Sequence, residues 1–467
     1  MNLTAADLRK VPHREFRNAE ALGRASFSGV SMDSRTVKAG ELFIALRGEH
    51  YDGHAFVQTA FAANAAAAVV DASFPKDTKI TQPLLIVDDT VHAMGALARL
   101  YREKFSIPVL GVGGSNGKTT TKDMIASVLR QRYEVLSTEG NLNNHIGVPR
   151  TIFRLSPHHE AAVIEIGTNH PGEIGMLCAM LNPTHGLLTN VGREHLEFFH
   201  TIGEVAKEEG EIFVSLRRRR GGTAIVNADD ARVARLAVGI KKRLSYAFTA
   251  TRTDVRGRAM RVGENGCAAF EFRGPRMTRW LDVRLAVPGA HNAGNALAAA
   301  AVGMAFKVPP QRIKDALESF RAVSKRMEIV TVGEVTILND TYNANPDSML
   351  AALQTLASMK RPGKKIAVLA DMKELGSAAA EAHAMVGRKA AKLRLDYVLT
   401  YGKLAAEIHK AVACQGAIHY EQKNVLAEYL AELLGPGDTV LVKGSRGMVM
   451  EDVVEFLRQR LQTVRGA

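Results

Sequence analysis

The stretch 107–120, IPVLGVGGSNGKTT, constrains this chain more than any other. Ile107, Val109, Leu110 and Val112 form an apolar, largely β-branched run that reads as a buried strand. The run stops at Gly113-Gly114 and passes through Ser115-Asn116 to Gly117-Lys118-Thr119-Thr120. Met124, Ile125, Val128 and Leu129 then recur with the one-face spacing of a helix. Strand, glycine loop, lysine and helix start together make a phosphate cradle, because free N–H groups and the positive end of the helix dipole face an anion. Lys118 would reach the terminal phosphates and the Thr119 hydroxyl would bind Mg²⁺. The full spacing G-x-x-x-x-G-K-[ST] needs glycine at position 112, where this chain has valine. The loop is therefore the shorter G-x-x-G-K-T, starting at Gly114. A glycine turn beside a surface lysine is the plain alternative, and the strand and helix on either side speak against it.

A chain of 467 residues is long enough for about three domains of roughly 150 residues each. The N-terminus, MNLTAADLRKVPHREF, lacks the apolar core of a signal peptide. No apolar run approaches the roughly 20 residues that span a bilayer, so no membrane insertion is expected. Cys178, Cys267 and Cys414 are isolated, which argues against disulfides or a zinc knot and fits a reducing cytoplasm. The net charge of +13 invites a nucleic-acid reading. The basic residues are spread along the chain, however, and the run Arg217–Arg220 reads as a solvated helix end or loop. No nucleic-acid partner is expected, and a positive field also attracts nucleotides.

The expected architecture is α/β in three domains. Residues 1–106 form a small α/β module, with a helix over 59–68, strands at 68–70 and 84–90, and a helix over 91–104. Residues 107–321 form a central P-loop-type ATPase domain on a parallel sheet. Its strands 161–167, 185–192 and 223–230 end in polar residues, where open α/β sheets bind ligands. Glu165 and His195 stand at two of these ends and are candidates to meet the phosphates held by Lys118. A strand-end Glu is otherwise a helix cap, and a lone His a satisfied polar group. Asn292 and Asn295 open an alanine-rich helix, where asparagine commonly caps. Residues 322–467 read as a Rossmann-like unit with strands 335–340, 365–371, 396–402 and 439–445. A linker near 321–326 would act as a hinge.

The loop Gly114-Ser115-Asn116-Gly117-Lys118-Thr119 resembles the shortened P-loop of the Mur ligase family, ATP-dependent amide-bond ligases of peptidoglycan precursor synthesis. Asn141–Pro149, Glu165-Ile166-Gly167, Asn190-Val191-Gly192 with His195, His291-Asn292 with Asn295, and Arg326 follow in the family's order. The series covers nearly the whole chain. Tyr342-Asn343-Ala344-Asn345-Pro346, Asp371–Gly376 and Lys443-Gly444-Ser445-Arg446 are similar to the branch that adds D-alanyl-D-alanine. The Asp-Asn-Pro-Arg motif of the branch that adds the third amino acid is absent. Asp33-Ser34-Arg35 and Asp52-Gly53-His54 resemble the module that holds the UDP-muramoyl precursor.

The resemblance implies ATP and Mg²⁺, with two ions, as cofactors, and UDP-N-acetylmuramoyl-tripeptide and D-alanyl-D-alanine as substrates of a monomer. It implies a catalytic set of Lys118, Glu165, His195, Glu209 and Arg326, with magnesium on Thr119, Glu165, His195 and Glu209. Nucleotide contacts would come from Gly114 to Thr120, Asn292, Asn295, Arg326 and Asp340. Substrate contacts would come from Ser34, Arg35, Asn144, Asn343, Asn345 and Lys443. Asn339 and Ala370 stand where the family usually has Asp and Gly, and both read as tolerated variation. One departure touches chemistry. The family usually carries a carbamylated lysine four residues before the Phe of a K-x-x-I/L-F pattern. VAKEEGEIF (205–213) has Glu209 there, with Lys207 two residues earlier. A lysine amine, with an ordinary pKa of about 10.4, must lose its proton before it takes up CO₂. Glu209 supplies a carboxylate directly, and it is expected to replace the carbamate. The rivals are a folylpolyglutamate-synthase-like ligase, with a likeness limited to the nucleotide domain, and a non-catalytic NTP-binding partner protein.

Overall fold

A computed structural model of the chain describes residues 1–23, 26–48, 51–75, 79–412 and 416–463. Cys414 lies outside the described residues, while Cys178 and Cys267 are buried free thiols. Three sheets of five, nine and six strands carry the fold. The chain divides into two compact units: Met1–Gly111, Glu134–Gly167 and Glu173–Thr184 make the first, and Val112–Tyr133, Thr168–Gly172 and His185–Ala467 the second.

In the first unit, the five-stranded sheet runs Glu15–Arg17, Leu84–Val87, Ala67–Asp71, Leu42–Ile44, Val30–Ser31. The first pair is antiparallel and the rest parallel. Phe43, Val57, Phe61, Val70 and Phe74 fill its core. The helix expected over 59–68 is shorter and earlier, Val57–Ala62. It stops because Asn64 takes a left-handed φ of 64°, a conformation that asparagine tolerates better than most residues. A second element of this unit pairs Val135–Ser137 parallel with Ala161–Glu165. Tyr101, from the helix Thr90–Arg102, donates its hydroxyl to the Leu155 carbonyl at 2.6 Å, satisfying a polar tip in a buried place.

In the second unit, His185–Leu188, Thr223–Asn227, Lys242–Ala247 and Val255–Val262 are parallel neighbours in that order. Cys267–Arg273 and Leu281–Pro288 then continue antiparallel. The central sheet is thus mixed, not the all-parallel sheet the sequence led us to expect. The first meander strand, Val255–Val262, VRGRAMRV, escapes a periodicity reading because it is exposed along most of its length, whereas Phe270, Phe272, Val283, Leu285 and Val287 alternate as buried residues in the other two. The helix His291–Ala305 packs on the P-loop helix Lys118–Leu129. Gly303 allows the approach: a Cβ there would lie 2.6 Å from Val128.

The six-stranded sheet runs Glu328–Val332, Val335–Asp340, Thr439–Lys443, Lys365–Ala370, Tyr397–Tyr401, Ala417–Tyr420. Only its first pair is antiparallel. Helices cover both faces over two cores, one around Leu338, Met349 and Leu369, the other around Ile337, Val368 and Leu457. This is the Rossmann-like unit expected from the strand spacing, with an edge strand at each side that was not anticipated. Residues 321–326 form the loop between the helix Pro310–Ser319 and the strand Glu328–Val332.

Candidate active site

The loop Gly114–Thr119 is held in shape by the strand end that follows His185–Leu188. Gly114 has φ +111°, and a Cβ there would meet Thr189 Oγ1 at 2.3 Å. Gly117 has φ +78°, and a Cβ there would meet Asn295 Oδ1 at 2.7 Å. Only glycine suits both positions. Asn190 clamps the loop from below: its carbonyl accepts from Ser115 N at 2.9 Å, and its amide oxygen accepts from Asn116 N at 3.1 Å. Its amide nitrogen donates to the Asn116 carbonyl at 2.9 Å, as does the Thr189 hydroxyl at 2.7 Å. Ser115 Oγ accepts from Gly192 N at 2.8 Å.

Three N–H groups expected to face phosphate, those of Gly114, Ser115 and Asn116, are therefore engaged within the protein. The first helical turn remains for the anion, since the N–H groups of Thr119 and Thr120 have no carbonyl to reach inside the helix.

Glu209 is the partner of Gly114 N, through Oε2 at 2.7 Å. It ends the helix Ile202–Glu209, which Thr201 and Glu204 start with a reciprocal capping box. The side chain is fully buried, and its other oxygen lies 3.9 Å from Lys118 Nζ. Burial raises the Glu209 carboxyl well above the ordinary range, against the pull of Lys118 and Gly114 N–H, and the charge of Glu194 adds to the rise. Glu194, not singled out from sequence, accepts from Lys118 Nζ at 3.2 Å. Its only sequence signal was a place beside His195 after a strand end. Lys207 is exposed.

His195 adopts a left-handed φ of 47°, which is uncommon outside glycine. Its Nδ1 lies 2.6 Å from Glu374 Oε2, and this contact holds the Glu374 carboxyl below its ordinary pKa. An ionised Glu374 only accepts, so Nδ1 is the donor in this contact, and Nε2 is the ring nitrogen left for another partner. Asn345 caps the helix Pro346–Ser358 and donates to Asn116 Oδ1 at 2.9 Å. Asp347 pairs with Arg193 at 2.9 Å. Asn292 and Asn295 are not caps: Asn292 donates to the Pro288 carbonyl and Asn295 to Asn292 Oδ1, which leaves the Asn295 oxygen against Gly117.

The Arg326 guanidinium stacks over Tyr342, 3.8 Å from the ring centroid. Asp340 and Lys443, expected on nucleotide and dipeptide respectively, meet each other at 2.6 Å. Asp340 also accepts from Met327 N, and Lys443 donates to the Asn343 carbonyl. Asn343 Oδ1 accepts from Ala344 N.

In the first unit, Glu165 is buried with Oε1 accepting from Asn143 at 2.8 Å. Asn144 caps the turn into Gly147–Ile152, accepting from Gly147 N. Arg35 is chelated by Asp33, with Nη2 to Oδ2 at 2.7 Å, and that guanidinium lowers the Asp33 carboxyl to about 2. Ser34 is partly buried in the same turn.

Glu165, Glu194 and Glu209 each keep one buried oxygen with no hydrogen-bond donor. Such acceptors are costly unless a cation meets them, so each fits a magnesium ligand. Among the described residues, no three His, Cys, Asp or Glu side chains gather closely enough to cage a metal. Within the second unit, His195 and Glu209 are therefore not part of a ready-made cage: His195 has turned its Nδ1 to Glu374, and Glu209 stands at a helix end. The donor set suits Mg²⁺, which takes one or two carboxylates and completes its shell with phosphate and water.

The Mur ligase middle domain matches residues 112–303, the Mur ligase glutamate ligase domain 325–446, and the Mur ligase family catalytic domain 26–102. A curated relative, UDP-N-acetylmuramoyl-tripeptide–D-alanyl-D-alanine ligase of Escherichia coli (strain K12), is 38% identical over 464 residues, covering 98% of this chain and 99% of its own. The chain belongs to the Mur ligase family. Among solved structures, MurF from Acinetobacter baumannii aligns at TM-score 0.89 and 29% identity, covering 98% of this chain and 99% of that one. MurF ligase from Thermotoga maritima in complex with ADP aligns at TM-score 0.83 and 28% identity, over 93% and 98%. A folylpolyglutamate synthase from Mycobacterium tuberculosis complexed with ADP also aligns, over 78% of this chain and 93% of its own at TM-score 0.61, so that likeness does not stop at the nucleotide domain as expected; at 14% identity it is a likeness of fold alone.

Proposed function

We propose that this Mur ligase joins D-alanyl-D-alanine to UDP-N-acetylmuramoyl-tripeptide, using ATP and releasing ADP, in peptidoglycan precursor synthesis. The observation that carries the reading is the near-full-length likeness to a ligase of that name, together with a formed phosphate loop whose lysine sits between two buried carboxylates.

A free carboxylate does not condense with an amine in water, because oxide is a poor leaving group. Phosphorylation of the tripeptide carboxylate gives an acyl phosphate, which the dipeptide amine attacks with loss of phosphate. Positioning and charge neutralisation carry such a transfer. Thr119 and Thr120 N–H and the Lys118 ammonium would hold the terminal phosphates. Arg326, stacked on Tyr342, offers a second cation. Mg²⁺, two ions in this reading, neutralises phosphate charge when bound. Thr119 Oγ1 and Glu209 are the ligands proposed at the loop. His195 is proposed from its presented Nε2, and Glu165 from its own unpaired oxygen. Glu209 acts here as the native carboxylate in place of a carbamylated lysine. Its burial beside the loop and the exposure of Lys207 support this.

Ser34 and Arg35 would contact the UDP precursor, and Asn144 the substrate peptide. Asn343, Asn345 and Lys443 would contact the dipeptide. ATP and a UDP-linked substrate would put the work in the cytoplasm, where it would serve wall growth and cell division. A monomer is proposed as the working form.

One incubation with ATP, the UDP-muramoyl-tripeptide and D-alanyl-D-alanine, read by mass spectrometry, tests the reading. The amide product and ADP are expected in equal amounts. Their absence from folded protein would favour the non-catalytic NTP-binding alternative.

A further inference from the structure

The outer meander of the central sheet contributes nothing to the phosphate site, yet its composition is extreme. Between 252 and 284 the chain carries eight arginines against four carboxylates, a local net of +4. Arg258 pairs with Glu271, and Arg261 and Arg284 share Asp282. Arg252, Arg256, Arg273, Arg276 and Arg279 have no ion pair among the described residues, and all five are exposed. Arg256 stands directly opposite Arg273 across the strand pair, an arrangement in which like charges repel.

Two further features belong to the same ribbon. Trp280, the chain's single tryptophan, carries the guanidinium of Arg258 at 4.0 Å from its ring centroid and that of Arg273 at 4.9 Å. A bulge at Ala259, φ 50°, shifts the register between Arg258 and Arg261.

An uncompensated arginine face needs an anionic partner. A free nucleotide is too small to meet five arginines spread over two loops and two strands. A nucleic acid offers phosphates and would take an indole by stacking on its ring, but the Trp280 ring already carries Arg258 and Arg273. An anionic bilayer offers both a plane of phosphates and an interface that accepts tryptophan and aliphatic groups. We propose that this meander docks the enzyme peripherally on anionic lipid surfaces, through the unpaired arginines and with Trp280 at the headgroup boundary.

Trp280 makes the proposal directly readable. Full-length protein is mixed with phosphatidylcholine vesicles, or with vesicles containing phosphatidylglycerol, and followed by tryptophan emission and co-sedimentation. Binding and a blue shift are expected with the anionic vesicles only, and both should be lost in high salt. The variant R256A/R276A/R279A leaves the Trp280 contacts intact, so its emission remains comparable. It should bind at least tenfold more weakly, since each basic side chain near such a surface contributes about fivefold. Its ligase turnover in solution should match the parent, which checks the fold. Equal binding to neutral vesicles, or undiminished binding by the variant, overturns the proposal. So does binding to duplex DNA or RNA while anionic vesicles are ignored.

Discussion

The Lys118 ammonium rests 3.2 Å from Glu194 Oε2, and both side chains are largely withdrawn from water. The loop lysine is thus aimed by a carboxylate that supplies the opposite charge at short range. Lys118→Ala removes the cation that would meet the terminal phosphates. ADP release should fall by about a thousandfold, the scale for losing one preorganised charge-stabilising donor. Binding of the UDP precursor, measured by calorimetry, should stay within twofold. Near-normal ADP release by a folded variant would move the nucleotide site elsewhere.

Glu209 accepts from Gly114 N at 2.7 Å from the end of a helix, and in the proposed reading its own carboxylate replaces a carbamate. Turnover should therefore be the same in CO₂-stripped buffer and with added bicarbonate. Glu209→Lys should lose most activity in stripped buffer and regain part of it with bicarbonate, if the longer arm can be carbamylated in that place. A parent enzyme that itself needed bicarbonate would return the role to a lysine, with Lys207 the nearest candidate.

Much of the second unit was legible in the chain. The strands Val335–Asp340, Lys365–Ala370 and Thr439–Lys443 fall where apolar runs end in a polar residue, because buried parallel strands need apolar side chains on both faces. The glycines of the loop were equally plain, since Gly114 and Gly117 occupy conformations closed to other residues. What stayed hidden depends on long-range contact. Glu194 looks like any surface acid until the fold brings it to Lys118. Asp340 and Lys443 stand a hundred residues apart, and only sheet register makes them partners. In the arginine-rich meander only Val255–Val262 lacks an apolar face; Phe270, Phe272, Val283, Leu285 and Val287 alternate as buried residues along the other two strands, a signal the sequence reading passed over.

Asn345 performs two tasks at once, capping a helix and reaching Asn116 in the phosphate loop. The cap alone is worth about 1 kcal/mol. Asn345→Asp keeps the cap but removes the amide N–H that reaches Asn116. Asn345→Ala loses both. Urea unfolding should therefore show a loss of about 1 kcal/mol for the alanine variant and little change for aspartate. Turnover should drop about tenfold in both, the scale of one hydrogen bond made in the transition state. Equal turnover for parent and aspartate variant would reduce Asn345 to a helix cap.

His185 opens the strand that leads to Asn190, with its ring 4.8 Å from Phe306. Burial, aided by the positive charges of Arg219 and Lys242, lowers its pKa from 6.5 to about 4. The sign follows from proton uptake. Above the unfolded value neither state holds the proton, and His185 adds no pH dependence. As pH falls below it, the unfolded chain takes up a proton that the folded chain refuses, so stability declines. The decline stops once pH passes the folded value, after a total of about 3 kcal/mol. His185→Gln cannot titrate and should lack this component. Urea titrations of parent and variant between pH 8 and pH 4 isolate it, because the paired carboxylates contribute equally to both. The difference in unfolding free energy should be flat above about pH 7 and should grow steadily in the variant's favour below about pH 6. A difference independent of pH would mean that the imidazole is solvated in the native protein.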